Sequence, residues 1–421
     1  MAISISYQPN ADYKHPAWND LNFVCSVSGT GLTKDDLKVI ASVKVNGTTV
    51  QTLDLYLFPN TTRAYCNVNK IVQNYITDVY QGVQASPSIY SNQTLTNVRV
   101  DFQEYYDGAN QGLSVTTQAV DVWRASMSLG EIVEAEYEQY QLDPAKVIGT
   151  GTFNFLTPFE NKVENTFGST APSAIPSGAN ILKIKAGQIA YLRFLCNSVS
   201  GLTAYIRFGL YDETKTRTFD TQISLLSILD TKMYDFAIGT DVLDTHAWDN
   251  PFTLDSDDKY FAILITSNIA SQTKTYFFEI DWTPCNAYDN YEVHWLNRYG
   301  GFDSWVFSRR STSEYQVEQE AFKVNPFDIS SPAPTTTQRY VKPFYTQMVE
   351  VLELNSDNLS VWEYSGLKDV FTSPEIYVKI DNKFYSAMVQ DYSTVRNYKQ
   401  SDGVFNAKLK LSIDNSEQRQ W

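Results

Sequence analysis

The chain has 421 residues, 43% of them hydrophobic and 14% aromatic, enough apolar mass for the cores of two or three domains. With 28 Tyr, 23 Phe and 8 Trp against 5 Met, the composition favours pleated sheet and argues against a helical bundle. A net charge of −15 repels phosphate, which disfavours sequence-specific nucleic-acid binding and adsorption to anionic membranes.

The four cysteines, Cys25, Cys66, Cys196 and Cys285, show no CxxC spacing, so neither a zinc site nor a redox motif is visible. The start, Met-Ala-Ile-Ser-Ile-Ser, has no basic region and no apolar core of leader length. Synthesis in cytoplasm is therefore expected, with the thiols free and buried rather than paired. No stretch reaches the roughly 18 apolar residues of a membrane span, so no membrane insertion is expected. The sequons at Asn46, Asn60, Asn92 and Asn358 then mark polar turns only.

From the start of the chain, Leu21, Phe23, Cys25 and Val27 alternate with polar residues until Gly29-Thr30-Gly31 breaks the run. Val43 and Val45 lead into Asn46-Gly47, followed by Val50 and Leu53-Asp54-Leu55-Tyr56-Leu57. Asn-Gly between apolar runs predicts a hairpin, because a type I′ turn needs positive φ twice. Val68, Ile71, Val72, Tyr75 and Ile76 fall at helical spacing and predict a short amphipathic helix over 67–76. Val98, Val100 and Phe102 alternate as a strand. Ser128, with Glu131 three residues on, carries a capping-box pattern for a second helix running to Tyr140.

These elements make 1–145 a β-rich domain with short helices. Residues 146–290 read as a jelly-roll or Ig-like β-sandwich. Its strand signals include 181–185, 189–196, 205–210, 260–266 and 276–282. Residues 291–421 read as an antiparallel C-terminal β region. Within it, 329–338 (Ile-Ser-Ser-Pro-Ala-Pro-Thr-Thr-Thr-Gln) is the clearest linker, with two prolines and no charge, expected to join separately folding parts. Ile376, Val378 and Ile380 lead into the Asp381-Asn382-Lys383 turn. Phe405, Ala407, Leu409, Leu411 and Ile413 then alternate with polar partners as a strand wet on one face. The fold class expected is all-β and multi-domain.

Chemistry is sparse. His15, His246 and His294 are far apart, and no HExxH, GxSxG, P-loop or GxGxxG occurs. Asp255, Asp257 and Asp258 carry carboxylates suited to calcium, but without an EF-hand glycine or distant glutamate they read as a solvated turn. Glu131, Glu134, Glu136 and Glu138 read as a wet helix face rather than a glycosidase pair. No catalytic residue, cofactor site or metal site is assigned, and no enzyme activity is expected. Exposed Tyr and Trp could stack on sugar rings, but their spread over all three regions favours cores and subunit interfaces.

One segment stands apart: Tyr291-Glu292-Val293-His294-Trp295-Leu296-Asn297-Arg298-Tyr299-Gly300-Gly301-Phe302-Asp303-Ser304-Trp305-Val306-Phe307. It reads as strand, glycine turn and aromatic strand, with Gly300-Gly301 permitting positive φ and Asn297 and Asp303 able to bond the turn backbone. It resembles a W-[LI]-N-x-x-G-G-x-[DE]-x-[WY]-x-F pattern of virion structural proteins of crAss-like phages and related phages of Bacteroidetes hosts. Thr372-Ser373-Pro374-Glu375-Ile376-Tyr377-Val378, Val389-Gln390-Asp391-Tyr392-Ser393 and the closing strand through Asn415 resemble the C-terminal arrangement of the same proteins. Here that strand closes in Ile413-Asp414-Asn415, where relatives more often have Tyr-Ala-Asn.

The resemblance covers 291–307 and 372–415 and implies a tail or collar component of the virion. It gives Trp295, Asn297, Gly300, Gly301, Asp303, Trp305 and Phe307 a folding or docking role without catalysis. It implies neighbouring phage tail or portal proteins as partners and a homo-oligomeric ring. Because portals are twelve-fold, twelve copies is the first expectation and six the second. The alternative is a receptor-binding adhesin whose sandwich at 146–290 takes surface glycan.

Overall fold

The computed structural model describes residues 3–76, 90–128, 141–142, 153–159, 162–163, 171–196, 204–224, 232–267, 273–283, 289–323, 341–391 and 406–420. It is mostly β, with 54% strand against 8% helix, as the composition led us to expect. The chain forms two compact units. The first holds 1–282 together with 297–303, and the second holds 283–296 and 304–421. The helix expected from Ser128 to Tyr140 lies outside the described residues.

In the first unit the strands run β1 (Ser4–Tyr7), β2 (His15–Pro16), β3 (Asn22–Ser26), β4 (Lys38–Val45), β5 (Thr48–Leu55) and β6 (Arg63–Asn67). After helix α1 (Asn69–Gln73) come β7 (Tyr90–Thr94), β8 (Thr96–Tyr106), β9 (Ala109–Thr116) and β10 (Val120–Trp123). Among the described residues they form one sheet ordered β1-β3-β6 and another ordered β2-β10-β8-β4-β5, with β9 on β8. The period-2 patterns bury one face of each sheet. Phe23 and Cys25 from one pack with Val39, Ala41, Val43, Val98, Val100 and Phe102 from the other. Val68 and Val72, one helical turn apart around α1, join the same core. Asn46 (φ 50°) and Gly47 (φ 81°) make the β4–β5 turn with both residues left-handed.

The remaining strands of this unit are β11 (Gln141–Leu142), β12 (Lys162–Val163), β13 (Leu182–Lys185), β14 (Tyr191–Cys196), β15 (Ala204–Tyr211), β16 (Arg217–Ser224) and β17 (Lys232–Ala237). After helix α2 (Thr240–Leu243) come β18 (Tyr260–Ser267) and β19 (Thr275–Asp281). A sheet ordered β11-β14-β17-β7 and one ordered β12-β19-β18-β15-β16, with β13 on β19, share a core. Leu192, Phe194, Tyr234 and Phe236 from the first interleave with Phe208, Phe261, Ile263, Tyr276 and Phe278 from the second. This is a β-sandwich with an aromatic core; Phe155 meets Tyr276 edge-on at 5.0 Å, a geometry the ring quadrupoles favour. Its sheet recruits β7 from ahead of residue 145, antiparallel to β17.

The second unit contains β20 (Tyr291–Leu296), β21 (Phe302–Phe307, whose first two residues count with the first unit), β22 (Thr312–Lys323) and β23 (Val341–Asn355). After helix α3 (Val361–Leu367) come β24 (Ile376–Ile380), β25 (Lys383–Asp391) and β26 (Lys408–Gln420). They form a seven-stranded sheet ordered β21-β20-β24-β25-β26-β23-β22. Asp381 (φ 49°) and Asn382 (φ 61°) close the β24–β25 hairpin. Ala407, Leu409, Leu411 and Ile413 bury one face of β26 and its approach. Residues 329–338 lie outside the described residues. The strands on either side of them, β22 and β23, pair antiparallel with each other from Thr312↔Glu353 to Lys323↔Val341 within this unit.

Candidate functional site

The Asn297–Asp303 turn is hydrogen-bonded as its residue types require. The Gly300 N–H donates to the Asn297 carbonyl at 3.0 Å, and the Asn297 N–H donates to the Gly301 carbonyl at 2.8 Å. The Asn297 side-chain oxygen accepts from the N–H groups of Tyr299 (2.9 Å) and Gly301 (3.0 Å). An Asn is suited to this because its short amide reaches its own following backbone. Its amide nitrogen donates to Asp303 Oδ2 (2.7 Å) and to the Leu156 carbonyl (2.8 Å). Thr157 Oγ1 donates to the other Asp303 oxygen at 2.7 Å.

The turn is held from its other side as well. Trp123 Nε1 donates to the Tyr299 carbonyl (2.9 Å), the Ser126 N–H to the Arg298 carbonyl (2.7 Å), and Arg193 Nη1 to the Gly300 carbonyl (2.8 Å). The carbonyls of residues 298, 299 and 300 are thus each satisfied from the body of the first unit, as buried backbone requires. Tyr299 joins a small cluster with Trp123, Ala125, Met127, Leu156, Leu195 and Met233. That cluster links the strands of the first two-sheet core to those of the aromatic sandwich.

The glycines are required by closeness more than by turn type. Gly300 has φ +88°, and a Cβ there would lie 2.1 Å from the Arg124 carbonyl oxygen. Gly301 has no positive φ, yet its Cβ would lie 2.0 Å from the Leu156 carbonyl oxygen. The pair therefore threads between two backbone segments, where only glycine leaves room.

Sequence reading missed Arg193 and Asp235. They stand directly opposite each other on β14 and β17, at 2.6 and 2.8 Å through Nε and Nη2, with 1% and 5% of their side chains exposed. The signal was a charge flanked on both sides by aromatic or aliphatic residues in each of two strands, Tyr-Leu-Arg-Phe-Leu and Tyr-Asp-Phe, since buried charges need partners. The bidentate pair fixes the guanidinium so that its remaining nitrogen meets the turn, and the same guanidinium lies 5.4 Å from the Phe302 ring centre.

Of the seven residues singled out from sequence, Asn297, Gly300, Gly301 and Asp303 come together in the first unit. Trp295 on β20 and Trp305 and Phe307 on β21 belong to the second, where all three are buried. Beside Trp295, His294 Nε2 donates to Glu292 at 2.8 Å, and Glu292 also accepts from Lys379 at 3.1 Å. The other histidines are bonded to backbone: His246 to the Ala237 carbonyl while stacked on Phe236, and His15, its pKa lowered by burial, to the Asn10 carbonyl.

Asp255, Asp257 and Asp258 close on themselves, with the Asp255 and Asp257 N–H groups donating to the carboxylates of Asp258 and Asp255. Cys25 and Cys66 are free and buried. Among the described residues no group of three or more His, Cys, Asp and Glu side chains is placed to hold a metal ion. None of their helices is long and apolar enough to cross a membrane.

Comparison with known proteins adds no relative: no protein-family model matches the chain, and a search of curated proteins gives no significant match.

Proposed function

We propose that this chain is a structural component of a bacteriophage virion, a ring or collar protein of the tail that works by self-association and docking. The observation that carries the proposal is the 291–307 segment, which resembles phage virion proteins and whose Asn297–Asp303 turn is held in place by a dense set of hydrogen bonds. Asn297 donates to the Leu156 carbonyl and accepts from the Gly301 N–H, while Asp303 accepts from the Asn297 side-chain amide and the Thr157 hydroxyl, all within the same unit. A turn so used positions structure. The expected assembly is a closed ring of twelve copies, or six, because head-to-tail contacts that close generate rings.

An adhesin is the second reading, favoured by an aromatic surface on the first unit. Tyr7 and Tyr65 lie in one row across β1-β3-β6 through Val24, with Phe58 against Tyr65 and Tyr56 nearby in sequence, all four rings exposed. Such faces stack on sugars.

A cryo-electron reconstruction of the particle separates the two. Density for this chain in a closed ring on the tail axis is the expected result. Density only at fibre tips, or none in the particle, overturns the proposal in favour of the adhesin or of neither.

A further inference from the structure

β22 is the last strand of its sheet, so one of its backbone edges meets no strand of that sheet. All twelve of its residues are exposed, as are the first four of β23 beside it. At about 3.3 Å per residue this edge, open among the described residues, is about 40 Å long. Strand edges of that length template pairing with another chain unless something blocks them.

The two faces of β22 differ in chemistry. Ser313, Tyr315 and Val317 point to one side, and Tyr315 (59%) and Val317 (55%) remain exposed there. Glu314, Glu318 and Glu320 point to the other, opposite Val351, Gln347 and Tyr345 of β23. No cation of β23 faces these three carboxylates across the pairing, and none of them is in an ion pair among the described residues. The edge thus presents hydrogen-bonding backbone, an apolar row and an unneutralised acidic row together.

We propose that β22 takes an extended strand of a basic partner protein by β-augmentation, with Lys or Arg beside Glu314, Glu318 and Glu320 and apolar side chains continuing the Tyr315–Val317 row. The inference deepens the docking function above and rests on it only for where in the particle the partner sits. Charge disfavours a second copy as occupant, because it would bring an edge of the same three carboxylates against this one. Antiparallel pairing of β22 with itself about Val317, for example, sets Glu314 against Glu320, and like charges directly opposite are unfavourable. Each copy also carries a net charge of −15.

The test uses the full chain and a fluorescent synthetic peptide of the length of β22 in which lysine alternates with valine. A second peptide carries glutamine in place of lysine. The lysine peptide should bind about tenfold or more tightly than the glutamine peptide, and should lose that advantage at high salt. Hydrogen exchange should show new protection along β22. The E314K/E318K/E320K variant should abolish the preference, and Val317→Asp should weaken both peptides while leaving the melting temperature unchanged. Three results overturn the inference: equal binding of the two peptides, protection elsewhere than β22, or a concentration-dependent dimer lost in Val317→Asp, which would assign the edge to a second copy. None of them touches the ring reading, which the particle reconstruction decides separately.

Discussion

At Gly47 and at the Gly300-Gly301 pair the same residue type answers different demands, and substitution separates them. Gly47 has φ +81° with nothing within 4 Å of its Cβ position, so Gly47→Ala should cost only the left-handed backbone penalty of about 1–2 kcal/mol. Gly300→Ala and Gly301→Ala drive a methyl to 2.1 and 2.0 Å from backbone oxygens that cannot rotate away. Each should cost about 3 kcal/mol or more, lowering the melting temperature by roughly 6–12 °C. Equal melting shifts for Gly47→Ala and Gly301→Ala would show that the close approach to Leu156 is not tight. The sequence marked the pair as a turn, but the reason for Gly301 is a carbonyl 145 positions earlier in the chain, which no local pattern encodes.

The core thiols give a second prediction at this scale. Burial pushes Cys25 up to about 11 and Cys66 to about 12, from an ordinary 9.0. The folded state thus holds these protons more tightly than the unfolded one. Their contribution to stability is intact below pH 9 and is lost as pH rises from about 9 towards 11–12. At pH 8 the Cys25 thiolate population is about a hundredfold below that of an ordinary thiol, so native alkylation should be slower by at least that factor. The Cys25→Val/Cys66→Val variant should lose less stability than the parent between pH 9 and 11; parallel decline would remove the thiols as the cause.

Among elements, those whose pattern depends only on neighbours in the chain were legible. The β4–β5 and β24–β25 hairpins, the alternation of β3 and β8 and the short helix α1 all follow from side-chain period and turn residues. Helix α3 was legible and overlooked. Ser360 caps it, accepting from the Glu363 N–H while Glu363 accepts from the Ser360 N–H at 2.8 Å. That is the Ser-x-x-Glu pattern sought at Ser128, just ahead of an apolar run. Ser360→Ala should cost about 1 kcal/mol, read as a shift in urea midpoint with unchanged slope, whereas a neutral result would mean the helix is held by packing of Tyr364 and Leu367 alone. What could not be read is β7, whose five residues complete the sheet of a sandwich more than a hundred residues downstream. Pairing partners at that separation are set by tertiary packing, and a strand's own sequence specifies only which of its faces is apolar.

At the scale of the whole molecule, composition gave the fold class, because aromatic and β-branched residues suit a pleated surface whatever their order. Connectivity was another matter. Two prolines and no charge make 329–338 look like a break between independent parts. Yet β22 and β23 on either side pair along their length, and β23 also pairs with β26 through Leu352↔Leu411 and Leu354↔Leu409 in the buried sheet. Composition reports how a segment treats water; it carries no record of whether the flanking strands return to each other. The two features together make a prediction that neither makes alone. Limited proteolysis should cut first within 329–338. The fragments should then stay associated through size-exclusion chromatography without denaturant, because β23 remains anchored by buried Val351, Leu352 and Leu354 and β22 remains paired to β23. They should part only on unfolding, as two pieces on a denaturing gel. Fragments that separate in native buffer would mean that the β22–β23 pairing is too weak to persist. First cleavage elsewhere would mean that the proline segment is protected in the free protein.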